Sequence, residues 1–287
     1  MKVLISADME GATGVTCPDD CEPGHPRWEY HRRFLTSDVN AAVAGFAAAG
    51  ATEILVNEAH ADQRNLLLDR LDPRATLLIG SHKPLGMMEG IDRNPDAVAF
   101  VGYHTGAGQP GVLAHTYLPN TITEVRIDGR PASEGRMNAL LAREYAVPVV
   151  LVTGDDLCCQ DARDWAPDAA MGVVKTCVER YSAICLPPEL SAARITDAAA
   201  QGLRTRKPWP APEAGSGSAS GSAPAEGYTF QVSFDAAHLA PAACYIPGVD
   251  QVDPLTVQFT LPTMYEAIRC FRALTRVVTS AVENCYG

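Results

Sequence analysis

The 287-residue sequence predicts an α/β protein: a mostly parallel sheet flanked by helices, with a smaller C-terminal α+β lobe. Three observations carry this. Short runs nearly continuous in apolar residues alternate with helical patterns through the first half, as strands covered on both faces do. Polar–apolar alternation appears only later, from His115 to Ile127, and ends at the turn signal Asp128-Gly129. A chain that is 47% hydrophobic and 20% charged can bury a substantial core.

The elements follow in order. Val3 to Ala7 is a buried strand, and a helix runs from about Arg27 to Ala49, stopped by Gly50. Glu53 to Asn57 is the next strand, followed by a helix near Asn65 to Leu71 that ends at Asp72-Pro73. Ala75 to Gly80 and Ala97 to Tyr103 are further buried strands. Asp128-Gly129 closes a local hairpin, and Ser133 caps a helix from Glu134 to Tyr145. Pro148 to Thr153 is another buried strand. Strands near Tyr228 to Phe234 and Thr256 to Thr260 precede a terminal helix from about Thr263 to Val282. The expected organisation is a catalytic α/β unit over residues 1–207, a flexible Gly/Ser-rich connection over 208–227, and C-terminal strands and helix over 228–287 that pack on or complete it.

The net charge of -11 argues against a nucleic-acid partner, which needs clustered Lys and Arg. No apolar stretch reaches the roughly 18 residues that suggest a membrane span, and the N-terminal apolar run is too short for a signal peptide. Nine scattered cysteines suit reduced thiols rather than a secreted disulfide framework, so a cytoplasmic protein is expected.

The chemistry lies at strand ends. Asp8 and Glu10 follow the first strand, Glu58 and His60 the second, His104 the fourth, and Asp155 and Asp156 the one after Pro148. In open α/β sheets, ligands bind beyond the carboxyl ends of the strands, where such groups converge. Asp8 and Glu10 are spaced so that both carboxylates can face one point in an extended segment. Two adjacent carboxylates repel unless a cation lies between them, although both could instead cap the coming loop. His60 and His104 each read, taken singly, as a structural histidine or a ligand. Glu134 reads as a ligand or as a complement to the helix dipole. His115 follows a Gly/Pro-rich loop long enough to bring it back to the same region. Mixed carboxylate and imidazole donors suit Zn²⁺ or Mn²⁺. Five of them, one bridging, suffice for two ions about 3.5–4 Å apart.

The segments ADMEG, VNEAH, GYH followed by GVLAHT, and ASEG occur in that order, with KPLGMMEGID, PVVLVTGDD and VVKTCVERYSAICLPP between and after them. Together they resemble the DppA-type D-aminopeptidases, zinc metallopeptidase family M55, over nearly the whole chain. The resemblance implies two zinc ions bridged by Asp8, one completed by Glu10 and His60 and the other by His104 and Glu134. It implies that His115 is the catalytic residue, that the substrate is a short D-amino-acid-containing peptide or amide, and that the chain forms a ring-based homodecamer. The sequence departs from the family pattern by one extra residue between His115 and Glu134, assigned to Pro119 to Thr123. The expected reaction is amide hydrolysis by a metal-bound hydroxide, with His115 as oxyanion donor or proton shuttle. The alternatives are a dinuclear hydrolase of another class and a non-enzymatic ligand-binding protein. Phosphoester hydrolysis would recruit Lys83, Lys175 or Arg180, and the binding protein is disfavoured by the missing Gly-x-Gly-x-x-Gly turn.

Overall fold

The computed structural model describes residues 1–207 and 227–282, so the flexible connection expected over 208–227 lies, Gly227 apart, outside the described residues. The strands are β1 (Lys2–Ala7), β2 (Glu53–Glu58), β3 (Ala75–Leu78), β4 (Ala97–Val101), β5 (Ile122–Ile127), β6 (Arg130–Pro131), β7 (Val149–Asp155), β8 (Ala170–Glu179), β9 (Ser182–Cys185), β10 (Tyr228–Phe234), β11 (Asp250–Asp253) and β12 (Thr256–Leu261). The helices are α1 (Pro26–Ala48), α2 (Glu134–Glu144), α3 (Asp156–Trp165), α4 (Pro188–Thr205), α5 (Leu239–Ala243) and α6 (Met264–Ala281).

Seven strands form the main sheet in the order β3-β2-β1-β4-β7-β8-β9, parallel throughout except for β9 at the edge. Side chains alternate across it, as strand geometry requires. Val3, Ile5 and Ala7 of β1 pack with α1 and α4, among Leu35, Val39, Phe46, Ile195 and Leu203. Leu4, Val98, Phe100 and Val152 face the opposite layer, with Met137 and Leu141 of α2 and Ala162 of α3.

That opposite layer includes a second, antiparallel sheet ordered β11-β12-β10-β5-β6. It joins the hairpin from the middle of the chain to the strands near its end. Tyr228, Phe230, Val232 and Phe234 of β10 point inward and the residues between them outward. Helix α6 covers the sheet with Ile268, Phe271, Leu274 and Val278, an apolar stripe at helical spacing. Asp128 and Gly129 both adopt positive φ at the β5–β6 turn, the backbone that Asp-Gly favours in a two-residue hairpin.

Two expectations need correction. The segment from Asn65 to Leu71 is no α-helix and holds one 3-10 turn, Leu68–Arg70. The Glu58 carboxylate accepts from the backbone N–H of Asn65 and Leu66, and Arg32 and Asn40 of α1 donate to the carbonyls of Asn65 and Arg70. Those ties hold backbone groups that an i→i−4 ladder would use. The alternating stretch from His115 becomes strand only at Ile122, because Leu113, Tyr117 and Asn120 take positive φ in the loop before it. Residues 156–205, unassigned from sequence, fold as α3, β8, β9 and α4.

From β1 the chain winds outward to β2 and β3, then returns to place β4 on the other side of β1. This reversal opens a crevice at the carboxyl ends of β1 and β4. The two loops there touch backbone to backbone: Gly11 N–H donates to Gly102 O at 2.8 Å. A Cβ on Gly11 would lie 1.9 Å from Tyr103 O, and one on Gly102, at φ +75, would lie 2.2 Å from Asp8 O. Gly11→Ala is therefore expected to lower unfolding stability by about 1–3 kcal/mol, measured by denaturant titration. An unchanged midpoint would show that the two loops can separate freely.

Candidate metal centre

The loop after β1 delivers Asp8 and Glu10, the loop after β2 delivers His60, and the loop after β4 delivers His104 and His115. Glu134 sits in the first turn of α2, whose cap Ser133 accepts from the Arg136 N–H. All of these side chains except His115 are buried to under a tenth exposed. His60 Nδ1 lies 3.0 Å from Glu10 Oε2 and 3.4 Å from Asp8 Oδ1. His104 Nε2 lies 3.3 Å from Asp8 Oδ2 and 3.8 Å from Glu134 Oε2. His115 Nε2 lies 3.7 Å from Glu10 Oε1, and its ring stacks on His104 with centroids 4.3 Å apart.

The second nitrogen of each imidazole decides what these contacts are. His60 Nε2 donates to Cys21 O at 2.9 Å, His104 Nδ1 to Thr105 O at 2.9 Å, and His115 Nδ1 to Leu113 O at 2.8 Å. A neutral ring donating on one side has only a lone pair on the other. As neutral rings, all three would aim lone pairs at carboxylate oxygens, acceptor against acceptor. Asp8 Oδ2 and Glu10 Oε2 have no hydrogen-bond partner although imidazole nitrogens are near them. Such an arrangement is satisfied by extra protons or by cations. The donor set, oxygen and imidazole nitrogen with each ring anchored from behind, fits a divalent transition metal.

The titration behaviour has the same origin. Burial alone would favour neutral Glu10, yet the adjacent His60 above all, with His104 behind it, holds it well below the usual carboxylate range. Burial would lower His104, but the adjacent carboxylates of Asp8, Glu134 and Glu10 raise it to about 10. His60 is raised in the same way, against its burial, by Glu10 and Asp8. Burial raises Glu134 to about 7. Burial and the His104 charge lower His115 to about 4, so it is neutral at pH 7.

The supporting groups are buried and polar. Lys175 on β8 donates to the carbonyls of Glu10, Ala12 and Val15, and Asp38 on α1 accepts from the N–H and hydroxyl of Thr13. Together they clamp the loop after β1. Ser6, the Tyr103 hydroxyl and Asn138 form a chain of hydrogen bonds from β1 through the end of β4 to α2, which sets Glu134 beside the strand ends. Glu134 Oε1 accepts from Tyr117 N–H at 2.7 Å, so this carboxylate also shapes the loop after His115.

All six residues singled out from sequence thus meet in one cluster. Three other ionisable strand-end residues do not join it. Glu58 turns to Asn65 and Leu66, Asp155 caps α3 and accepts from Val112 N–H, and Asp156 accepts from Cys177 N–H. Lys83 is bound to Asn57 Oδ1 and Glu58 O, and with Lys175 it is committed to the scaffold, away from any phosphate. The cluster opens into a cavity of about 450 Å³, whose lining includes Cys21, Tyr117, Arg180, Arg272 and Arg276. Cys21 also stands with Glu10 and His60 within ligand reach of one point. Of these residues only Arg180 is legible in the sequence; the others arrive from a turn, a loop and α6, with no strand-end pattern to mark them.

A buried carboxylate–imidazole cluster, at the switch point of a parallel sheet and open to a peptide-sized cavity, is the arrangement of a metal-dependent hydrolase. The chain belongs to peptidase family M55, the D-aminopeptidases, whose family model matches residues 1–273. It is 31% identical over 283 residues to the D-aminopeptidase of Bacillus subtilis (strain 168), covering 96% of this chain and 97% of the relative. It also matches the solved structure of the Zn-dependent D-aminopeptidase DppA from Bacillus subtilis, a self-compartmentalizing protease, with a TM-score of 0.88 and 30% identity, covering 97% of this chain and 98% of that one. Among the described residues no helix is long and apolar enough to cross a membrane.

Protons and metal must compete for these lone pairs. At pH 7 the metal-free site holds protons on His60 and His104, so a divalent metal should displace about two protons per chain on binding. Affinity should fall as pH is lowered, and more steeply below about 7, where Glu134 also takes a proton. Calorimetric titration in buffers of different ionisation enthalpy measures this; pH-independent binding without proton release would mean that the imidazoles are not ligands.

Proposed function

We propose that this hydrolase is a zinc-dependent D-aminopeptidase that removes the N-terminal residue from short peptides, with two zinc ions sharing Asp8. Glu10 and His60 complete one site, and His104 and Glu134 the other. The observation that carries the proposal is the set of imidazoles, each anchored on a backbone carbonyl with its other ring nitrogen turned into a carboxylate cluster. The zinc dependence of the similar Bacillus subtilis enzyme supports the choice of metal. When bound, the ions lower the pKa of water and polarise the scissile carbonyl.

His115 is the residue left to move protons. It is neutral at pH 7, its Nδ1–H is held by Leu113 O, and its Nε2 lone pair faces the site. This imidazole is a proton acceptor before it can be a donor, so it takes a proton from the attacking water and returns it to the leaving amine. A role as oxyanion donor follows only after that first transfer. Stacking holds its ring parallel to that of His104. The carboxylate oxygens of Asp8, Glu10 and Glu134 gathered at this point offer acceptors for the amino end of a peptide. The preference for a D-residue comes with family membership.

Self-assembly, in the ring decamer implied by the family, is supported by the β8–β9 edge. Val178, Tyr181 and Ile184 expose 59%, 52% and 68% of their surface there. A sheet edge of that character is stable in solution when another chain covers it.

Asp8→Ala should lose nearly all bound metal, since it removes the shared carboxylate. His115→Ala should keep the metal while turnover falls by about 10²–10⁴-fold. Metal analysis alongside D-alanyl dipeptide hydrolysis separates the two; loss of metal in His115→Ala would make that residue a ligand.

A further inference from the structure

The cavity beside the cluster carries cations that the hydrolytic chemistry does not use. Arg272 and Arg276 stand one turn apart on α6 and both line it, as does Arg180 at the β8–β9 turn. Like charges at that helical spacing repel each other. Among the described residues neither α6 guanidinium has a carboxylate within ion-pair distance. In a chain of net charge -11, two unpaired arginines facing one cavity are a local reversal of sign.

Arg272 is also held in place. Its Nη1 donates to the carbonyls of Lys83 and Pro84, both at 2.5 Å, and its guanidinium covers Gly86, whose missing Cβ leaves the room for it. That loop is tied to the strand ends through Asn57, which donates to Gly86 O and Met87 O. Two of the five guanidinium N–H groups are thereby used, and Arg272 still lines the cavity with donors to spare. A fixed guanidinium fork matches a carboxylate in two-point geometry.

We propose that Arg272 and Arg276 form a subsite for the C-terminal carboxylate of the substrate. The enzyme is then selective for free-acid peptides short enough to reach from the metal cluster to α6. The cavity of about 450 Å³ agrees with this, since it lies near the small end of ligand sites. One end of the substrate meets carboxylates and metal, the other meets arginines, so both length and polarity are read. The inference rests on the aminopeptidase reading above.

The test compares D-alanyl-D-alanine with its C-terminal amide on zinc-loaded wild-type enzyme, Arg276→Gln and Arg272→Gln. The free acid should be cleaved with kcat/KM about ten- to a hundredfold above the amide, mainly through a lower KM. Each variant should narrow that ratio by about tenfold or more, and Arg276→Lys should restore part of it. Arg272 also supports a loop, so should Arg272→Gln fail to fold, Arg276→Gln decides the matter. Equal cleavage of acid and amide by the wild type would overturn the subsite and leave the aminopeptidase standing, as would a ratio unchanged in the variants. No hydrolysis of either compound by the metal-loaded wild type would overturn both.

Discussion

Buried carboxylates close to one another repel, and the structure surrounds them with groups that sharpen this conflict. Asp8, Glu10 and Glu134 stand together out of water, and the imidazoles that approach them turn one ring nitrogen each toward the carboxylates, a position that a proton or a metal must fill. Each ring is locked in that orientation by a backbone carbonyl behind it. An arrangement like this costs folding free energy until positive charge fills it, and metal binding is then coupled to the stability of the loops that carry the ligands. The surrounding architecture serves to hold that geometry against its own repulsion.

The holding is done by hydrogen bonds in which buried charges are matched to backbone groups. The Lys175 ammonium meets three carbonyls of the loop after β1, and Asp38 meets Thr13 in the same loop. Removing either partner of such a contact leaves a buried charge unsatisfied, which costs more than the contact itself contributes. Lys83 plays the same part at the end of β2, and Glu58 gathers the chain after it. Residues that look catalytic by type are here the frame on which the site is stretched.

A second consequence is polarity along the cavity. The strand ends contribute acid and imidazole, while α6, from the far end of the chain, contributes arginine. A zwitterionic peptide matches such a field in one orientation only. Helix α6 reaches this position because it covers the second sheet, which itself joins β5 and β6 to β10 and β12. Packing far from the cluster thus decides which side chains face it across the cavity.

Much of this was legible in the residues. The buried strands, α1, α2 and α6 follow from apolar runs, helical periodicity and caps such as Ser133 and Thr263, which are local features. The acids and histidines at successive strand ends pointed to the cluster because a parallel sheet gathers its carboxyl ends on one side. The same pattern also offered Glu58, Asp155 and Asp156, and a helix from Asn65 to Leu71. Telling these apart from the residues of the cluster depends on which way a carboxylate turns at the end of its strand, and that is settled by partners elsewhere in the chain.

By itself, then, the sequence determined the kinds of donor available, their order along the chain and the sheet that would collect them, since all of these depend on local pattern. Only the tertiary structure decided which imidazole nitrogen faces the carboxylates, that Lys175 and Lys83 are scaffold, and that arginines from α6 share a cavity with the strand ends. Those outcomes rest on contacts between distant segments, such as Lys175 with Glu10 and Arg272 with Lys83, and no local pattern encodes such contacts.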